Sequence, residues 1–135
     1  VDGGEAMIVA GLGFRTTCTA NELVALIGRV GEAAGAHVEA LAVPDFKAGA
    51  SALATAAAIL AIEVRPVTRA ALAEVQRLCP SRSAAALAAV GVASVAEACA
   101  LAAAGPGGRL LAPKAASGAA TCALAMSAPD GGQGA

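Results

Sequence analysis

Aromatic residues are almost missing from this 135-residue chain: it has no Trp, no Tyr and only Phe14 and Phe46. A base-stacking platform for single-stranded nucleic acid therefore cannot be built. Charge is also scarce, at 14% of residues with a net charge of −1, so the clustered basic surface that phosphate backbones require is missing as well. Histidine occurs once, as His37, and the four cysteines (Cys18, Cys79, Cys99, Cys122) form no C-x-x-C pair. No Cys/His metal site of familiar spacing is encoded, and neither a metal nor a cofactor is expected. Scattered cysteines in such a chain read as small buried thiols. The acidic start (Asp2, Glu5) lacks the basic n-region of a secretory signal, so the cytoplasm is the expected compartment.

Alanine, leucine and valine dominate instead. Hydrophobic residues reach 58% and the mean hydropathy is +0.73. The core must then be aliphatic, with helices packed closely on whatever they cover. The longest apolar stretch, Ala84 to Ala104, raises the possibility of a membrane span. It is alanine-rich, and Glu97 inside it is costly in lipid, so a soluble reading is preferred.

Short apolar runs alternate with helical periodicity. Met7 to Ala10 reads as a buried strand ended by Gly11. Thr19 and Glu22 have capping-box spacing, Leu23, Leu26, Ile27, Val30 and Ala34 fall on one helical face, and Gly35 stops that helix. Val38 to Val43 is a second strand stopped by Pro44, and Ala50 to Leu60 a helix. Ala61 to Pro66 is a third strand. Thr68 caps a helix with Leu72, Val75 and Leu78 inside, ended by Pro80. Ser83 to Val90 reads as a short helix, and Ser94 with Glu97 as a second capping box for a helix reaching Ala104. Leu110 to Ala112 and Ala119 to Met126 are the last strands, an antiparallel pair about the Ser117-Gly118 turn. The pattern is that of an α/β three-layer sandwich with a mostly parallel, mixed sheet of about five strands. One domain over residues 7–126 is expected, with loose termini at 1–6 and 127–135.

Chemistry is expected where strands end. Gly11 and Gly13 offer a tight turn. Thr16, Thr17 and Thr19 bring hydroxyls to a helix N-terminus that favours an anion, and Arg15 adds a fork of donors. The plain alternative is a turn followed by an ordinary N-cap. The segment is neither a dinucleotide fingerprint nor a Walker loop. Asp45 and Lys47 follow the second strand, and Lys114 and Ser117 follow the fourth. If these strands run parallel, Arg15, Lys47 and Lys114 converge on one rim; otherwise they are three solvated cations. His37 falls at the opposite rim. Cys18 lies near a helix N-terminus, which favours a thiolate, but with no histidine nearby it reads as an inert thiol.

Four segments, GLGFRTTCTANEL (11–23), PDFKAG (44–49), VGVASVAEACAL (90–101) and LLAPKAASGAATCALA (110–125), resemble in order and spacing the CobE/CbiG C-terminal domain family of cobalamin biosynthesis. The resemblance implies a role in building the corrin ring. It carries Gly11, Gly13, Arg15 and Thr19 onto the family's first loop, Lys47 onto its second, and Glu97, Lys114 and Thr121 onto its C-terminal segments. CbiG proteins open a δ-lactone on a cobalt-precorrin and release acetaldehyde, but they carry further N-terminal regions, so this chain looks like the stand-alone CobE form. Three roles follow as expectations. The first is binding of a carboxylate-rich precorrin-type tetrapyrrole through charge-assisted hydrogen bonds, its ring face met by Ala, Val and Leu. The second is lactone hydrolysis with Asp45 or Glu97 as base. The third is docking on other cobalamin pathway enzymes. Neither nucleic acid nor membrane is an expected partner.

Overall fold

The computed structural model describes residues 6–81 and 94–128. Five strands, β1 (Ile8–Phe14), β2 (Ala40–Pro44), β3 (Glu63–Val67), β4 (Arg109–Ser117) and β5 (Ala120–Met126), form one mixed sheet in the order β3-β2-β1-β5-β4. β1, β2 and β3 are parallel; β5 is antiparallel to both β1 and β4. The described helices are α1 (Ala20–Ala34), α2 (Ser51–Leu60), α3 (Arg69–Val75) and α4 (Val95–Ala104). The α/β sandwich with a mixed five-stranded sheet is the architecture expected from the sequence. The helix read at Ser83 to Val90, and the termini at 1–5 and 129–135, lie outside the described residues.

The two faces of the sheet differ in side-chain size, and this decides which helix sits where. Successive strand residues point to opposite faces. Leu12, Leu41, Val43 and Leu124 belong to one core cluster, which Leu23, Leu26 and Ile27 of α1 and Leu53 of α2 complete. Fully buried side chains of this kind contribute about 1.5–3 kcal/mol each. On the other face stand Val9, Ala40, Ala42 and Ala125, covered by α3 and by α4 with Ala98, Cys99, Ala100 and Leu101. Small residues on both partners let α4 lie directly on the sheet. The apolar stretch weighed as a membrane span thus ends in α4, a 10-residue buried helix of about 15 Å. Among the described residues no helix is long and apolar enough to cross a membrane.

Local signals formed α1 as read. Thr19 Oγ1 accepts from Glu22 N (3.1 Å), Glu22 Oε1 accepts from Thr19 N (2.9 Å), and Gly35 closes the helix at φ 64°. Three expectations need correction. β1 does not end at Gly11; it continues to Phe14, because β5 pairs with it from Ile8↔Met126 to Phe14↔Ala120. β4 does not stop before Pro113; irregularities between Leu110 and Ala112 and between Ala112 and Ala115 let this edge strand run through a residue without an N–H. Leu78 is not inside: α3 gives way to a 3-10 turn at Gln76–Leu78, whose tighter period rotates Leu78 outward to 54% exposure. Past the strand ends, Met7 and Ser127 exchange two further hydrogen bonds of 2.8 and 2.9 Å.

All four cysteines are buried and unbridged. Burial pushes the Cys122 thiol up to about 12 and raises Cys99 strongly, with Cys79 adding to the second shift. Cys18 is raised by burial first and by the Glu22 carboxylate next, which together outweigh the lowering by the Lys47 ammonium. Because all four thiols are buried, Ellman's reagent should label the native protein very slowly at pH 8. All four sites should react once guanidinium unfolds it. Rapid labelling of two or more native thiols would contradict this packing.

Candidate functional site

The parallel strands β1, β2 and β3 end on one rim with Phe14, Pro44 and Val67. β4 runs antiparallel to β5, and so in the same direction as β1; its last residue, Ser117, pairs with Ala120, which also pairs with Phe14. The chain order moves from β1 through β2 to β3 on one side, then crosses to β4 and β5 on the other. β1 is therefore the switch point of the sheet, the place where ligands of open α/β sheets bind. Helix N-termini flank it from both faces. α1 begins at the Thr19 cap, and α4 begins beside Gly13, whose missing Cβ would stand 3.5 Å from Val95 Cβ.

The predicted residues divide into three groups. Arg15, Thr16 and Thr17 are exposed in a turn just past β1. The turn is held by Cys18 N donating to Arg15 O (3.0 Å) and Arg15 N donating to Ala119 O (2.9 Å). The Arg15 guanidinium has no partner among the described residues. Asp45 and Lys47 form the 3-10 turn that leaves β2 at the same rim. Lys47 Nζ donates to Phe14 O at 2.9 Å and lies 4.9 Å from the centre of the Phe14 ring, so it is tied to the end of β1. An ammonium has three donors, and this contact uses one.

The second group has local work to do. Thr19 spends its hydroxyl on the α1 cap. Gly11 and Gly13 are not in the loop at all: both lie within β1 under α4. A Cβ on Gly11 would stand 2.0 Å from the Ala96 carbonyl oxygen, and one on Gly13 would stand 2.8 Å from Thr121 Oγ1. Gly11 answers to helix packing and Gly13 to the Thr121 hydroxyl of the neighbouring strand, so the segment forms no tight turn.

The third group is displaced. Lys114 is not in a loop after β4 but inside that strand, two strands from β1 and three residues short of Ser117. Its backbone N–H donates to Glu97 Oε2 at 2.9 Å. Glu97 itself is fully buried, and it also accepts from Ser81 N (2.9 Å) and Ser81 Oγ (2.8 Å). The capping box read at Ser94 and Glu97 is realised in one direction, with Ser94 Oγ accepting from Glu97 N at 3.4 Å; the carboxylate serves distant partners. A carboxylate buried on three donors is ill placed to take a proton from a substrate water, so of the two bases considered for hydrolysis only Asp45 is exposed.

Arg15 and Lys47 therefore share the rim, and Lys114 lies apart from them. An open cleft of about 560 Å³ occurs at the other end of the sheet, between the C-terminal half of α1 and the α2–β3 turn; Ile27, Val38, Leu60 and Ile62 line it along with His37. His37 thus falls at the rim remote from the loops, as read. Among the described residues no group of three or more His, Cys, Asp or Glu is placed to hold a metal. Residue spacing does not single out Phe46, 56% exposed between Asp45 and Lys47; rarity is the signal that does, since it is one of two aromatics in the chain.

The profile of the family described as cobalamin synthesis G C-terminus matches residues 8–125. Among solved structures, CobE, a protein from the cobalamin (vitamin B12) biosynthetic pathway, is 34% identical with a TM-score of 0.86 over 92% of each chain. The cobalamin biosynthesis protein chiG from Agrobacterium tumefaciens str. C58 is 37% identical with a TM-score of 0.73, covering 90% of this chain and 98% of that one. A cobalamin biosynthesis protein G homolog from Sulfolobus solfataricus shares the fold (TM-score 0.67) at 22% identity, over 89% of this chain but 36% of that longer one. No curated protein matches the chain.

Proposed function

The chain belongs to the CbiG C-terminal family of cobalamin biosynthesis proteins, and from that membership we propose that it binds a carboxylate-rich, precorrin-type tetrapyrrole at the rim around the end of β1. Such intermediates carry acidic side chains around a large ring. They call for cationic and hydroxyl donors spread over several loops at one edge of a domain.

The observation that carries the proposal is the turn Arg15-Thr16-Thr17, exposed at the switch point of the sheet. Ligand carboxylates there would meet the planar donor fork of Arg15, two hydroxyls and the remaining donors of Lys47. Ser117 stands at the same level across β5. Lys114 joins this group only with a ligand wide enough to extend over two strands, roughly 10 Å at the usual strand spacing. Handling the intermediate as a binder or carrier needs no catalytic group, and a single domain over residues 7–126 suffices for it.

The test is a titration with uroporphyrin, a carboxylate-rich tetrapyrrole whose strong absorption reports its surroundings. The wild-type protein should shift the band saturably. Arg15→Ala should weaken binding by about ten-fold or more, the loss typical of a charge-assisted hydrogen bond. Because Arg15 is exposed, the substitution should leave the fold intact, which circular dichroism checks. A wild-type protein that leaves the spectrum unchanged ends the proposal.

A further inference from the structure

Aromatic residues are the rarest resource of this chain, and both occur at one place. Phe14 closes β1 and Phe46 sits in the turn after β2, the neighbouring parallel strand, so both mark the rim proposed to bind tetrapyrrole. Phe14 is accounted for by the fold: it packs against the core cluster and carries the Lys47 ammonium over its ring. Phe46 is not accounted for in this way. It is 56% exposed and belongs to neither core cluster.

A solitary exposed apolar side chain is common on protein surfaces and by itself signifies little. Two features set Phe46 apart. It shares the rim with Asp45, Lys47 and, past the end of β1, the Arg15 turn, so an apolar plate stands beside the charged groups proposed to hold carboxylates. Its backbone is also fixed in advance. Lys47 Nζ ties the turn to Phe14 O at 2.9 Å, Ala48 N donates to Asp45 O at 3.2 Å, and Ala50 N donates to Lys47 O at 3.1 Å. A preorganised contact loses less freedom when it is covered.

We infer that Phe46 is the surface that meets the ring face of the ligand, so that the site selects a flat apolar macrocycle bearing carboxylates over a polyanion without one. This rests on the tetrapyrrole reading and adds a specificity residue to it. Arg15, the hydroxyls and the remaining Lys47 donors engage the charged periphery, and Phe46 covers the ring from the turn that Lys47 also ties to Phe14.

Two probes separate the roles: uroporphyrin, and butane-1,2,3,4-tetracarboxylate used as a competitor. Phe46→Ala should weaken uroporphyrin binding by about ten-fold or more while leaving the inhibition constant of the tetracarboxylate within about two-fold. Arg15→Ala should weaken both. Phe46→Leu, which keeps apolar area, should fall between wild type and Phe46→Ala for uroporphyrin. An unchanged uroporphyrin affinity in Phe46→Ala overturns the inference and leaves the tetrapyrrole reading standing. An equal loss for both probes also overturns it, by showing that the substitution disturbs the turn. Failure of the wild-type protein to bind uroporphyrin removes the reading and the inference together.

Discussion

Gly11→Ala should destabilise the protein by about 3 kcal/mol or more, at or beyond the upper end of ordinary overpacking. The new Cβ would lie 2.0 Å from the Ala96 carbonyl oxygen, 2.5 Å from Ala100 N and 2.9 Å from Ala100 Cβ. The two closest atoms are helix backbone, so no rotamer change relieves the clash. α4 would have to lift off the sheet along the line where Ala98, Cys99 and Ala100 are fully buried. A domain of this size is stable by roughly 5–15 kcal/mol, so the loss is a large share of the total. Thermal unfolding should move down by about 10 °C or more. Gly28→Ala supplies the contrast. Gly28 lies in the interior of α1, and nothing stands within 4 Å of the Cβ that alanine would bring, so the substitution should add about 0.5–1 kcal/mol. A Gly11→Ala protein melting within two or three degrees (about 1 kcal/mol) of wild type would refute the close approach of α4.

Glu97→Ala carries the second large effect. The carboxylate is fully buried and accepts from Ser81 N, Ser81 Oγ and Lys114 N at 2.8–2.9 Å. It joins the segment after α3, the first turn of α4 and the irregular part of β4. Two of its three donors are backbone N–H groups, which cannot turn toward another acceptor as a hydroxyl can. Leaving a buried donor unsatisfied costs about 1–3 kcal/mol each, so a total of about 3 kcal/mol is expected for Glu97→Ala. The position in the first turn of a helix adds a smaller favourable term for the charge, which alanine and glutamine both lose. Glu97→Gln should fall between the two proteins, because its oxygen replaces one carboxylate oxygen while its NH2 is brought against an N–H. Urea unfolding should rank wild type above Glu97→Gln and Glu97→Ala lowest. Equal stability of wild type and Glu97→Gln would show that the three hydrogen bonds contribute little.

Both positions illustrate where residue spacing misleads. Gly-Leu-Gly after an apolar run reads as a strand ending in a turn, since glycine normally weakens a strand. Here β5 continues the ladder on one side, α4 takes the space above Gly11, and Thr121 of β5 takes the space beside Gly13. Glu97, three residues after Ser94, reads as half of a capping box. The first half forms, but a serine sixteen residues earlier and a lysine seventeen residues later claim the carboxylate. Pro113 reads as a strand stop, yet an edge strand with irregular pairing tolerates it. Because the strand does not stop there, Lys114 lies inside β4 and short of the rim.

Features carried by contacts between near neighbours were legible from the chain alone. They include the Thr19–Glu22 box, the Gly35 stop, the Thr68 cap, the burial of Leu23, Leu26, Ile27 and Val30, and the alternation that makes the domain α/β. The ordered likeness of four segments also placed the chain in its family. Tertiary structure alone decided which cations share a rim, which glycines lie under a helix and which carboxylate is buried. Those outcomes depend on residues tens of positions apart, joined through strand order and through the choice of face on which each helix packs. Local periodicity records which side chains share a face of one element; it holds no information about the element that will cover them.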